Sequence, residues 1–207
     1  VTQSGWVNAY RCFSHEHIWP RGFPLDEITE TCNQNISLDN KVKLIQSPIQ
    51  QGLANGSPDV DAIWRLVLDK PFKFDNNPSV YLPPESWCPF NSQSTWWWPV
   101  AYPLMYLPSY CSFRMTDIWR SFIAQRCLWA MDMGVIFHAP EVEQDRNTHN
   151  LMKDFEQEVA GYINNKRIVD ILDNLNLHQG PQSATQNLKL CYEALIEVGI
   201  FPAEELG

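Results

Sequence analysis

Three polar constellations in this chain carry residue types that can do chemistry. Asp59-Val60-Asp61 sets two carboxylates two positions apart. On an extended backbone alternate side chains share a face, so the pair could hold one divalent cation. On a helix they diverge by about 200° and bridge an ion poorly. Acidic residues ahead of Ala62-Ile63-Trp64 then read as N-terminal helix residues favoured by the dipole, and that argument carries more weight here. Arg114-Met115-Thr116-Asp117-Ile118-Trp119-Arg120 puts a carboxylate at a helix start beside arginines. It suits a general base, a ligand for sugar hydroxyls, or simple capping with a surface salt bridge. His138 ends a short apolar run and offers an imidazole for metal ligation, although a lone strand-end histidine is more often structural.

A fourth feature is aromatic. Trp96-Trp97-Trp98 cannot all face inward on a strand, because side chains alternate. One exposed indole beside the polar run Asn91-Ser92-Gln93-Ser94 could stack on a sugar or a base. Packing on both faces of a sheet is the reading favoured for two of the three, and core packing for most of the nine tryptophans.

Composition limits the partners. Hydrophobic residues make up 44% of 207, enough to bury a core. Fifteen Lys and Arg against 24 Asp and Glu leave a net charge of −9, which repels phosphate backbones and argues against a nucleic-acid binder. Six cysteines (Cys12, Cys32, Cys88, Cys111, Cys127, Cys191) form no CxxC pair and no zinc-type Cys/His spacing; buried free thiols are the expected state. Two sequons, Asn35-Ile36-Ser37 and Asn55-Gly56-Ser57, matter only in a secretory lumen. No initiator Met and no signal peptide are visible, so the chain is expected to be a processed product or an excised part of something longer. The uncharged stretch from Ser86 to Phe113 is broken by Pro89, Pro99, Pro103 and Pro108 and is not expected to span a membrane.

The elements that position these groups follow from periodicity. Val42–Gln46 alternates like a strand, Val80-Tyr81-Leu82 reads as extended, and Phe90–Trp98 reads as a strand leading to Pro99 at the first position of an apolar helix. Thr116 caps a long helix marked by Ile118, Phe122, Gln125/Arg126, Trp129 and Met133, and Gly134 ends it. Val135-Ile136-Phe137 is a short buried strand running into His138. Residues 141–178 are charged and helical, and a capping box at Ser183–Gln186 opens a last helix that stops at Gly199. The order implies an α/β core over residues 1–140 and a helical appendage over 141–207.

The runs Gln50–Asp61, Pro89–Thr95, Phe113–Arg120 and His138–Val142 resemble the STELLO-type glycosyltransferases, from near Asn8 onward and more weakly to about residue 175. The resemblance implies a partial GT-A-like fold: a Rossmann-related mixed sheet with flanking helices, of which residues 1–140 are the acceptor-side half. Asp117 matches the acidic residue at a helix start that deprotonates or orients an acceptor hydroxyl. His138 matches the histidine that completes a metal site, here for a divalent cation such as Mn²⁺ holding the leaving diphosphate of a nucleotide sugar. Arg114 or Arg120 would balance charge, and Asn91, Trp96, Trp97, Asp59 and Asp61 would line an acceptor groove for a carbohydrate or glycoprotein. The nucleotide-binding strands and the usual DxD are expected upstream of Val1, since no Gly-rich phosphate loop occurs here. The alternative is a non-catalytic scaffold docking a partner such as a polysaccharide synthase complex. The resemblance also implies the Golgi lumen, with membrane attachment through segments absent from this chain. Both catalytic expectations need Asp117 and His138 to converge on one cleft.

Overall fold

The computed structural model describes residues 5–32, 47–148 and 150–206. The expected strand at 42–46 and the first sequon lie outside these residues. Four strands form one mixed sheet in the order β2-β4-β1-β3. They are β1 (Ile49–Gly56), β2 (Val80–Leu82), β3 (Thr95–Trp97) and β4 (Val135–Gln144). The central pair β1 and β4 is parallel, and β2 and β3 are antiparallel edge strands. The expected α/β architecture is therefore present.

Register assigns each side chain to a face. Ile49 pairs with both Trp97 and Val135, and Gln51 pairs with Phe137. Ile49, Gln51, Leu53, Val135 and Phe137 are buried on this inner face. The alternate residues Gln50, Trp96, Ile136 and His138 share the outer face. The β1–β4 ladder slips between Gly52 and Ala54. Pro140, which has no N–H to give a ladder, lies in the extra residues of that bulge, just beyond His138.

Five α-helices complete the described fold: α1 (Ile28–Cys32), α2 (Ala62–Leu68), α3 (Thr116–Trp129), α4 (Leu151–Asp173) and α5 (Ala184–Glu197). Ten residues of α3 are buried, so apolar groups surround it on most sides. It lies on the inner face of the sheet, with the Arg120 guanidinium 4.9 Å from the Trp97 ring. Phe122 meets Trp6 and Trp87 edge-on, at 5.7 and 6.2 Å, which ties the N-terminal segment to the same core. Helices α4 and α5 pack against α3 from the other side. Asn150 caps α4 through Met152 N–H and Lys153 N–H at 3.1 and 3.2 Å. Gly199, at φ 77°, follows the end of α5 as the sequence predicts.

Several local expectations change. β3 covers only three residues, because 91–94 form a turn. The helix after Pro99 is a 3₁₀ helix, Pro99–Met105, interrupted by Pro103. Thr116 is the first residue of α3 rather than its cap, since a 3₁₀ turn, Phe113–Met115, precedes it. β4 runs on to Gln144. Of the tryptophans, Trp6, Trp19, Trp64, Trp87 and Trp119 are buried, but only one of the Trp96–Trp98 triplet packs inward; Trp96 and Trp98 are exposed. Cys88, Cys127 and Cys191 are buried free thiols, as expected. No helix among the described residues is long and apolar enough to cross a membrane.

Gly134 is a close-packing glycine at the entry to β4: a Cβ there would collide with the Leu82 carbonyl oxygen of the neighbouring strand. Because backbone cannot swing away, Gly134→Ala is expected to cost about 3 kcal/mol. Urea denaturation followed by circular dichroism checks this; an unchanged midpoint would refute the packing argument.

Candidate functional site

Asp117 begins α3 and lines a small hollow of about 220 Å³ with Arg21, Ser92, Leu107, Phe113, Arg114 and Thr116. Its carboxylate is not free. Arg21 Nη2 donates to both Asp117 oxygens at 3.0 Å. The Ser92 N–H donates to Oδ2 at 3.1 Å. Arg21 also grips Asp59 through Nε (2.9 Å to Oδ1) and Nη2 (2.9 Å to Oδ2). Its Nη1 donates to the Arg114 carbonyl. One guanidinium therefore sits between two carboxylates separated from it by 38 and 96 residues.

The local sequence explains how Arg21 arrives there. It is the one charge in the apolar run Ile18-Trp19-Pro20-Arg21-Gly22-Phe23-Pro24. Gly22 has φ 86°, and a Cβ there would collide with the Ile118 side chain. Only glycine lets the bend press against α3, which brings Arg21 to the helix start. Burial disfavours a charged guanidinium, but the Asp59 and Asp117 charges outweigh it and raise the Arg21 pKa. Burial likewise pushes Asp59 up, yet the Arg21 charge and hydrogen bonds bring it below the ordinary carboxylate range.

The other expected residues fall in three groups. Arg114 and Arg120 flank the hollow. Arg114 pairs with the fully buried Glu158 of α4 (Nε–Oε1 2.9 Å), whose other oxygen accepts from Ala62 N–H at 2.7 Å and the Tyr162 hydroxyl at 2.8 Å. Arg120 lies over Phe90 and Trp97 and donates to Ser92 Oγ at 3.2 Å. Burial pushes its pKa down to about 10. Asn91 is buried and shapes the 91–95 turn: its Oδ1 accepts from Gln93 N–H at 2.9 Å, and its own N–H donates to Gln51 Oε1 at 2.9 Å.

Asp61 serves as the N-cap of α2. Its oxygens accept from Trp64 N–H at 2.8 Å and from the Trp19 indole N–H at 2.6 Å. Desolvation pushes its pKa up to about 6. The capping reading of the Asp59–Asp61 pair thus describes Asp61, while Asp59 belongs to the Arg21 cluster. Trp97 lies under Arg120 on the inner face.

Trp96 and His138 stand on the outer face, their rings 5.8 Å apart. The His138 Nε2–H donates to Gln50 Oε1 and its Nδ1 accepts from the Ser79 hydroxyl, each at 2.7 Å. Burial lowers its pKa, which keeps the ring neutral at pH 7. The expected convergence of Asp117 with His138 is not met, which overturns the mechanism in which the two act in one cleft and leaves only a role for Asp117 by itself. The helix start lies on the inner side and the imidazole on the outer face, and the cavities each lines share no residue. Nor does the donor set suit a divalent cation. Arg21 occupies the space between Asp59 and Asp117, and both His138 nitrogens are already hydrogen-bonded. No cluster of three or more His, Cys, Asp or Glu able to hold a metal occurs among the described residues.

Residues 114–206 match the family model of the STELLO glycosyltransferases. Over this span the sequence is similar to that family. A protein of Arabidopsis thaliana described as probable glycosyltransferase STELLO2 is 33% identical over 144 residues, which is 67% of this chain and 19% of that protein. A second Arabidopsis protein, described as probable glycosyltransferase STELLO1, is 32% identical over 140 residues, 65% of this chain and 18% of that protein. The chain thus spans about a fifth of the length of these curated relatives. The STELLO-matched span holds Arg114, Asp117, Arg120, His138 and Glu158, whereas Arg21 and Asp59 come from outside it.

Removing the cation leaves two nearly buried carboxylates facing each other. Arg21→Met is expected to cost about 3–5 kcal/mol at pH 7. Asp59 has a depressed folded pKa, so its contribution is present above the ordinary carboxylate range and fades as pH falls through the folded value. The gap between wild type and Arg21→Met should therefore narrow in acid. Urea titrations at pH 7 and at pH 3.5 test this; a gap that widens in acid would overturn the assignment.

Proposed function

We propose that this chain forms the acceptor-side part of a glycosyltransferase domain, taking a sugar from a nucleotide-sugar donor to an acceptor hydroxyl. The family match supports sugar transfer as the general activity. The hollow at the start of α3 is the observation that carries the acceptor side. A carboxylate offers about four lone-pair positions. Arg21 and Ser92 take three on Asp117, which leaves room for one hydroxyl donor. Phe113, 81% exposed, supplies an apolar lip against which a sugar ring can rest. Because Arg21 holds Asp117 in an ion pair, the acid is better suited to orienting the acceptor hydroxyl than to abstracting its proton. A Mn²⁺ ion gripping the donor diphosphate would take its ligands from outside the described residues. By the same resemblance the setting is the Golgi lumen.

A specific feature also supports the scaffold reading. Trp98, Tyr102, Met105, Leu107, Tyr110 and Phe113 are all exposed along one stretch of chain, and exposed apolar side chains that gather on one face mark interaction surfaces. Such a face suits docking to a protein partner such as a polysaccharide synthase complex.

Transfer assays on the complete gene product separate the two. Asp117→Asn should lower kcat on the order of 100-fold through mispositioning, while Arg21 keeps Asp59 as a partner and the fold survives. Phe113→Ala should raise the acceptor KM with an unchanged melting temperature. Wild-type transfer by both variants would remove this hollow from the reaction and leave the docking role.

A further inference from the structure

On the outer face of the sheet, remote from Asp117, lies a hollow of about 700 Å³. That is within the range of about 300–1,000 Å³ found for small-molecule sites. Ser47, Gln50, Trp98, Val100, Met133 and His138 line it, and none of the residues around it carries a formal charge with the imidazole neutral. The Ser47 hydroxyl is the most informative group. Ser47 is 1% exposed, and its Oγ has no hydrogen-bond partner. A buried hydroxyl left unpaired is costly, so an orphan lining a cavity points to a ligand that satisfies it.

The rest of the wall is prearranged. The Trp98 backbone N–H donates to Pro48 O at 2.9 Å, which anchors this residue beside the hollow, and Trp98 is 46% exposed. Gln50 Oε1 accepts from His138 Nε2–H and one amide N–H donates to Ser47 O at 3.3 Å, leaving the second amide N–H unused. His138, held in turn by Ser79, acts as a positioning residue for that amide. It also separates this hollow from a second one of about 390 Å³, lined by Asn76, Asn77 and Glu141. An indole face, a hydroxyl and an amide, with no cation to neutralise a phosphate, fit a ring that is apolar on one side and rich in hydroxyls at its rim.

We propose that the outer face carries a binding site for a neutral glycan, with a pyranose ring stacked on Trp98 and its hydroxyls met by Ser47 Oγ and the Gln50 amide. The site is separate from the Asp117 hollow and does not depend on sugar transfer taking place there. Isothermal titration of the 207-residue chain with neutral hexasaccharides of gluco, manno, xylo and galacto configuration tests it, with hexagalacturonate and uridine alongside. At least one neutral hexasaccharide should bind. Trp98→Ala should weaken it about tenfold or more, and Met152→Ala, at an exposed position of α4, should leave it unchanged. Hydroxyl-radical footprinting of the unmutated protein gives a readout independent of variant folding: the saturating hexasaccharide should protect Trp98 and not Met152. Absence of binding by all four, tighter binding of hexagalacturonate or uridine, unaltered affinity in Trp98→Ala, or protection at Met152 alone would each overturn the proposal.

Discussion

The guanidinium of Arg21 ties together three segments: the N-terminal bend, the approach to α2 through Asp59, and the start of α3 through Asp117 and the Arg114 carbonyl. A buried ion cluster of this kind is weak evidence for stability, since the desolvation of three charges offsets much of their attraction. Its effect is geometric. With five donors in a planar fork, arginine fixes both carboxylates at once, which a lysine ammonium could not do. The Arg114–Glu158 pair continues the same network into α4 and, through Ala62 N–H, back to α2. The acidic hollow is therefore assembled from the whole inner layer of the protein and not from one motif.

The two faces of the sheet divide the remaining polar groups. The inner face meets α3 and buries Gln51, whose amide serves the 91–95 turn by accepting from Asn91 N–H and Thr95 Oγ1. The outer face leaves Trp96 exposed, and Gly52 beneath it makes room: a Cβ there would lie 3.1 Å from the Trp96 ring. The bulge beyond His138 ends regular pairing at the point where the imidazole is pinned by Ser79 and Gln50. The same strand pair thus supports a charged hollow on one side and a neutral one on the other.

Elements with a strong period were legible in the sequence. The stripe on α3, the glycine after α5 and the extended Val80–Leu82 follow from residue spacing alone. The central strand β1 did not stand out, because Gln50, Gln51 and Gly52 interrupt any apolar alternation. Its glutamines are paid for by partners far along the chain, His138 and the 91–95 turn. Alternation correctly requires that at least one of Trp96–Trp98 point away from its neighbours. Two are exposed because Trp96 and Trp98 both fall on the outer side of β3, an edge strand.

Residue types and order settled which groups were available: a carboxylate at the head of a long helix, an acidic pair before another, a histidine after a strand, and a family likeness running through them. Periodicity fixes which neighbours share a face but not which face meets the core, so the separation of Asp117 from His138 had to come from the packing of α3 against Trp97. The role of Arg21 was decided the same way. Its partners lie 38 and 96 residues away, and only a glycine pressed against Ile118 brings the three charges together.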